Sequence, residues 1–129
     1  MPRPVKQPPI YEDLTFALIG FAYVIHKQLG PIHKETVYQK AFEQELLEHK
    51  ILYTKEEQLP VSFKGKKVGV YIPDFVVDEK VIIELKALEY LPEQAGVQLS
   101  YYLKNTQYRI GLLINFGAHK VQIRRRIYG

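Results

Sequence analysis

PDFVVDEKVIIELK, residues 73–86, decides how this chain is read. The polar tip Asp78-Glu79-Lys80 closes a hairpin, and its second arm is the strand Val81 to Lys86. With the turn centred on Glu79, Asp74 and Glu84 stand at equal distances from it and face each other directly. Directly opposed residues have Cβ atoms about 4.5–5.5 Å apart. Glu84 and Lys86 are two apart and share that face, while Val81, Ile83 and Leu85 point to the other, into a core. The arithmetic gathers two carboxylates and one ammonium into a small cluster.

Working outward, Val68, Val70 and Ile72 alternate toward Pro73-Asp74. Ile51 to Thr54 and Val61 to Phe63 read as short strands, with Lys64-Gly65-Lys66 as a turn. Before them the period is helical. Leu14, Leu18, Phe21, Ile25 and Leu29 recur at three and four and predict a helix over 12–29, stopped by Gly30-Pro31. Val37, Tyr38, Ala41, Phe42 and Leu46 predict a second over 34–50, with Glu35 in its first turn, where the helix dipole favours negative charge. Pro92 opens a third, to about Asn105, with Ala95, Leu99, Tyr102 and Leu103 on its stripe. Strands at 109–115 and 121–127 follow. The order is two helices, three or four strands, a helix and two strands. That predicts an α/β chain of the α+β kind, a mixed sheet packed by helices.

Residues 1–11, which hold four of the eight prolines, read as a flexible arm, and residues 12–129 as one domain. The 129 residues are 47% hydrophobic and 25% charged, ordinary for a globular chain able to bury a core. The absence of Cys excludes disulfides, thiolate zinc sites and cysteine nucleophiles. The apolar stretch 16–25 is too short to span a bilayer, which takes about 20 residues, and lies too far in for a signal peptide. The expectation is a cytoplasmic protein without membrane contact. A net charge of +4 permits a polyanionic partner without demanding one.

Two opposed carboxylates repel by about 3 kcal/mol at about 5 Å and an effective dielectric of about 20. A fold keeps such a pair if a cation lies between them or one carboxyl keeps a proton. Lys86 neutralises part of the charge, and a divalent ion would do more. Carboxylates without Cys or clustered His select a hard ion, Mg²⁺ over Zn²⁺, with Mn²⁺ able to substitute. His26, His33, His49 and His119 show no ligand spacing. The chemistry this suits is phosphodiester hydrolysis. The metal polarises the phosphate and activates water, and Lys86 stabilises developing charge. The tripeptide acid-x-Lys is cheap, since it also occurs at Glu48-His49-Lys50 and Asp78-Glu79-Lys80. A polar hairpin face with Lys86 merely pairing its neighbours is the plain alternative.

Pro73-Asp74 followed by Glu84-Leu85-Lys86 resembles the signature of the PD-(D/E)XK nuclease superfamily. Residues His26 to Pro31, Glu35-Thr36-Val37-Tyr38, Gln98-Leu99 with Tyr102-Leu103, and Asn115-Phe116-Gly117 are similar to its small prokaryotic GxxExxY branch. The resemblance runs from about Leu14 to Ile127. It implies a restriction-endonuclease-like αβββαβ core with an extra N-terminal helix. It implies Mg²⁺ held by Asp74, Glu84 and the Leu85 carbonyl, Lys86 as catalytic lysine, and Glu35 as an additional acid of the metal site. Gln98 and Tyr102 look like the Gln-x-x-x-Tyr element of RecB-like nucleases. Packing competes for Tyr102 and Tyr38, and Tyr101 competes for any stacking role. Ile32 stands where the branch's first glycine would fall. If that glycine adopts positive φ, an isoleucine would resist it, and the approach to Glu35 would differ.

Lys64, Lys66 and Lys67 at a turn, with Lys104 and Arg109 around the end of the third helix, are candidate phosphate contacts. Arg124, Arg125 and Arg126 are split between faces by strand alternation. None offers a base-reading pattern. The expectation is a Mg²⁺-dependent nuclease acting on nucleic acid, DNA foremost, with a homodimer left open. The alternatives are a non-catalytic nucleic-acid-binding module on the same fold and a protein-interaction domain.

Overall fold

The computed structural model describes residues 11–129. The expected proline-rich arm therefore lies almost wholly outside the described residues. Helix α1 spans Glu12–Leu29 and α2 Glu35–Glu48. Strands β1 (Tyr53–Lys55), β2 (Leu59–Phe63), β3 (Lys66–Tyr71), β4 (Phe75–Val77) and β5 (Val81–Lys86) follow. Helix α3 (Glu93–Lys104), β6 (Ile110–Asn115) and β7 (Gln122–Ile127) complete the described chain.

Five strands form one mixed sheet in the order β1-β4-β5-β6-β7, and β2 and β3 pair separately as a hairpin. Only β5 and β6 run parallel, joined by α3 as crossover. Setting aside α1, the β2–β3 hairpin and β7, the chain reads α, β, β, β, α, β, as expected. Five strands rather than three or four precede α3. The difference is the break between β3 and β4, since the alternation of Val68, Val70 and Ile72 toward Pro73-Asp74 gave no sign that β4, three residues buried on both faces, joins another sheet than β3.

The β4–β5 register is the expected one: Phe75 opposes Ile83, Val76 opposes Ile82 and Val77 opposes Val81. Both faces are covered. On one, α1 and α2 bring Leu18, Phe21, Ile25, Tyr38, Phe42 and Leu46 onto Val81, Ile83 and Leu85. Phe42 joins helix to helix through Phe21 (6.1 Å, edge-on) and helix to sheet through Phe75 (5.7 Å). Truncating it to alanine would cost about 3–5 kcal/mol. On the other face, α3 and the β2–β3 hairpin bury Ile82, Leu99, Leu103 and Leu113 with Tyr71. Burial on both faces explains why β5 is apolar at Ile82 as well as at Val81 and Ile83. In β3, Val68 and Val70 are exposed, as is Ile72 just beyond it, and Tyr71 points inward instead. No helix among the described residues is long and apolar enough to cross a membrane.

Candidate active site

The carboxyl end of β5, the residue before β4 and the N-terminus of α2 meet at one place. Asp74 and Glu84 are locked there by backbone groups. The Asp74 amide donates to Glu84 Oε1 at 3.1 Å, and the Leu85 amide donates to Asp74 Oδ2 at 2.6 Å. Gln39 of α2 donates its Nε2 to Asp74 Oδ1 at 2.9 Å. Both Asp74 oxygens therefore have a fixed direction. Gln39 was not expected, although its place four residues after Glu35 puts it on the same helical face.

Burial and the charge of Asp74 push the Glu84 carboxyl up to about 7, against the pull of Lys86. Burial also raises Asp74, opposed by the Leu85 amide and Lys86. Glu35 is raised by burial and by Asp74, and lowered by Lys86. Lys86 is close enough to act on all three acids, yet it forms no ion pair with a described carboxylate. The three acids do not close into a cage. Among the described residues no group of three or more His, Cys, Asp or Glu is placed to hold a metal. Glu35, expected among the ligands, stands within electrostatic reach and outside such a cluster. The remaining donors fit a hard cation. Mg²⁺ is commonly bound by one or two carboxylates while keeping several waters, and two carboxyls raised by burial, Glu84 further by the charge of Asp74, mark a place where a cation would be favoured.

Ile32 does not disturb the approach to Glu35. It is 81% exposed and is not among the described residues with positive φ, so its branched side chain meets no backbone strain. The turn uses Gly30 at φ 70° instead. Tyr38 is core, as its stripe predicts, stacked on Phe116 at 4.6 Å. Its hydroxyl also donates to the Gly30 carbonyl and accepts the His33 amide at 3.2 Å, tying down the loop that leads to Glu35.

Gln98 and Tyr102 are separated. Gln98 is exposed and lines a cavity of about 530 Å³ with Lys86, Leu88 and Tyr101. Tyr102 is half-buried, stacked on Tyr71 at 3.7 Å. The Tyr71 hydroxyl is buried without a hydrogen-bond partner in place. Burial and the nearby Glu84 carboxylate raise its pKa. Tyr71 thus backs Glu84, and Tyr102 packs on Tyr71.

The loop after Lys86 is clamped, which sequence reasoning caught only as a resemblance at Asn115-Phe116-Gly117. Asn115, wholly buried, accepts from the Leu88 amide and donates to the Leu88 carbonyl, both at 2.8 Å, and donates to Gln122 at 2.9 Å. Gln122 in turn accepts the Leu91 amide at 2.9 Å. The Phe116 amide donates to the Lys86 carbonyl at 2.9 Å. A Cβ on Gly117 would stand 2.5 Å from the Ala87 carbonyl carbon and the Leu88 oxygen, so only glycine admits this approach.

The expected phosphate contacts do not line the cavities at Asp74 and Lys86. Lys64 and Lys66 flank the tip of the β2–β3 hairpin, with Lys67 beside them. Lys104 borders a groove of about 480 Å³ with Leu59 and Ser62. Arg109 donates to the Gly129 carbonyl at 3.0 Å. Arg126 lies over α3, its guanidinium 2.7 Å from where a Cβ on Gly96 would stand. The cations in the small cavity at Asp74 are Lys40 and Lys55, and Lys55 is paired with Glu43 at 3.2 Å. Lys40 lies between Gln39 and Ala41 and Lys55 between Thr54 and Glu56, outside any basic cluster, so the sequence gave no sign of them.

No curated protein and no solved structure matches the chain. A sequence model of the PD-(D/E)XK nuclease superfamily matches residues 12–127, from the first residue of α1 to the last of β7. That span carries the mixed sheet and the Asp74, Glu84 and Lys86 set in the order the superfamily signature requires, and the chain belongs to the PD-(D/E)XK nuclease superfamily.

Proposed function

We propose that this chain hydrolyses phosphodiester bonds in nucleic acid, with DNA as the first substrate to test, using Mg²⁺ held by Asp74, Glu84 and the Leu85 carbonyl. The observation that carries the reading is the backbone locking of Asp74 to Glu84 and Leu85, one register step from Lys86. When bound, Mg²⁺, or Mn²⁺ in its place, polarises the phosphate and lowers the pKa of a coordinated water.

The chain's own residues do the rest. Gln39 and the Leu85 amide orient Asp74, so that its carboxylate is already placed before substrate arrives. Lys86, not neutralised by an ion pair, offers its ammonium to charge developing on the phosphate. Glu35 adds negative potential that favours a cation at the pair. Gln98 stands in the wall beside Lys86 for contact with the substrate. Lys40 is a better placed phosphate contact than Lys64, Lys66, Lys67, Lys104 or Arg109. The Glu35-Thr36-Val37-Tyr38 and Asn115-Phe116-Gly117 stretches support the GxxExxY branch of the superfamily.

The test is incubation with plasmid, single-stranded DNA and RNA in Mg²⁺ or Mn²⁺, with EDTA as control. The expected result is cleavage that EDTA abolishes. Salt-sensitive binding without cleavage under any metal would replace the nuclease by a binding module.

A further inference from the structure

The cavity beside Lys86 has chemistry that phosphate binding does not use. Its wall is the outer face of α3 and the loop after β5. Gln94, Val97, Gln98 and Tyr101 come from the helix and Leu88 from the loop, lining an open groove of about 530 Å³. Val97 and Tyr101 are one helical turn apart and 49% and 60% exposed, and Leu88 is 42% exposed. The Tyr101 ring stacks on no described aromatic residue, unlike that of its neighbour Tyr102. Apart from Lys86, no residue of the lining is charged.

A phosphate backbone seeks cations, and this wall supplies none beyond Lys86. A nucleobase needs an apolar or aromatic face to stack on and groups able to both donate and accept at its edge. Tyr101, Val97 and Leu88 supply the first, and the Gln94 and Gln98 amides the second. Lys86 belongs to both the groove and the acid cluster, so an occupant would sit next to a phosphate held at the acids. A base stacked on α3 there would have left its duplex stack.

We propose that this wall is a base-stacking subsite with Tyr101 as its platform, and that the substrate is a single-stranded or locally unpaired strand. The proposal rests on the nuclease reading of the acid cluster. It gives Gln98 a partner in Tyr101 rather than in Tyr102, which is committed to Tyr71.

The test is fluorescence anisotropy with a labelled 15-nucleotide oligothymidine, an abasic strand with the same phosphates, and a duplex of that length, in Ca²⁺. Cleavage in Mg²⁺ is followed in parallel. The wild type should bind the oligothymidine more tightly than the abasic strand. Tyr101→Ala should weaken binding of the oligothymidine about 5- to 150-fold, as loss of one stacked base implies. Abasic binding should not change, and Tyr101→Phe should stay near the wild type. Equal binding of the oligothymidine by wild type and Tyr101→Ala overturns the subsite while leaving cleavage standing. So does a preference for duplex over single strand, or a Tyr101→Ala effect confined to oligomeric state. A wild type that neither binds nor cuts any strand brings down the nuclease reading, and the subsite with it.

Discussion

Asn115 grips Leu88 with both ends of its amide, Oδ1 accepting the Leu88 N–H and Nδ2 donating to the Leu88 carbonyl, each at 2.8 Å. A buried side chain thereby copies the pairing of a strand and extends the sheet's hold past the end of β5. Lys86 sits just before this grip, with its own carbonyl taken by Phe116.

Asn115→Ala leaves the Leu88 amide and carbonyl without these partners and should destabilise the fold by about 2–6 kcal/mol, at roughly 1–3 kcal/mol for each group left unpaired, toward the low end because Leu88 is partly solvated. Asn115→Asp should cost at least as much, since its second carboxyl oxygen would face the Leu88 carbonyl and Gln122 Oε1, acceptor against acceptor, in a wholly buried site. Urea denaturation checks both. Equal stability of Asn115→Ala and wild type would refute the clamp.

Gly117→Ala tests the same loop from the other side. Its methyl would lie against backbone atoms of Ala87 and Leu88 that cannot swing away as a side chain does. The expected cost is at least the roughly 1–3 kcal/mol of an overpacked core. Gly20→Ala, where a Cβ meets nothing within 4 Å, should be neutral or slightly stabilising, because alanine is the better helix former. Thermal denaturation of the pair separates the two cases.

Stability should fall with rising pH in the metal-free protein. Glu84 titrates at about 7 when folded and near its ordinary 4.5 when unfolded. The folded state therefore holds more protons between these values. The stability present below about pH 4.5 is lost as pH rises through 7. The loss should be on the order of 2 kcal/mol, somewhat below the full shift because the side chain is partly solvated. Glu84→Gln should flatten the curve measured by denaturation in EDTA. At pH 8, Mg²⁺ should raise the Tm of the wild type and leave that of Glu84→Gln unchanged.

Tyr38→Phe keeps the ring on Phe116 and removes the hydroxyl that joins Gly30 to His33. The expected cost is about 1–2 kcal/mol. The cleavage rate should drop less than in Glu35→Gln, because the acid is loosened and not removed. A rate unchanged in Tyr38→Phe at a measurably lower Tm would show that the loop needs no such tether.

Much of this was legible in residues 73–86. Turn symmetry about Glu79 fixes the register, and the period of two puts Glu84 and Lys86 on one face with Asp74 opposite. The helices were legible because each carries a single apolar stripe. The supports were not. Tyr71 faces inward from a strand whose valines, Val68 and Val70, face water, so hydrophobic alternation pointed the wrong way. Gln39, Asn115 and Gln122 act through amide bonds to distant segments, and an amide leaves no periodic trace. The separation of Gln98 from Tyr102 was not legible, because positions four apart share a helical face and spacing alone does not show that Tyr102 is taken up by Tyr71.

The most direct test of the catalytic centre is the single-turnover cleavage rate of wild type, Lys86→Ala and Glu84→Gln in Mg²⁺, with circular dichroism to confirm folding. Both variants should fold and cleave at least about 10²- to 10³-fold more slowly, the scale set by removing one electrostatic contact from a transition state. A folded Lys86→Ala that cleaves at the wild-type rate would contradict this reading of the centre.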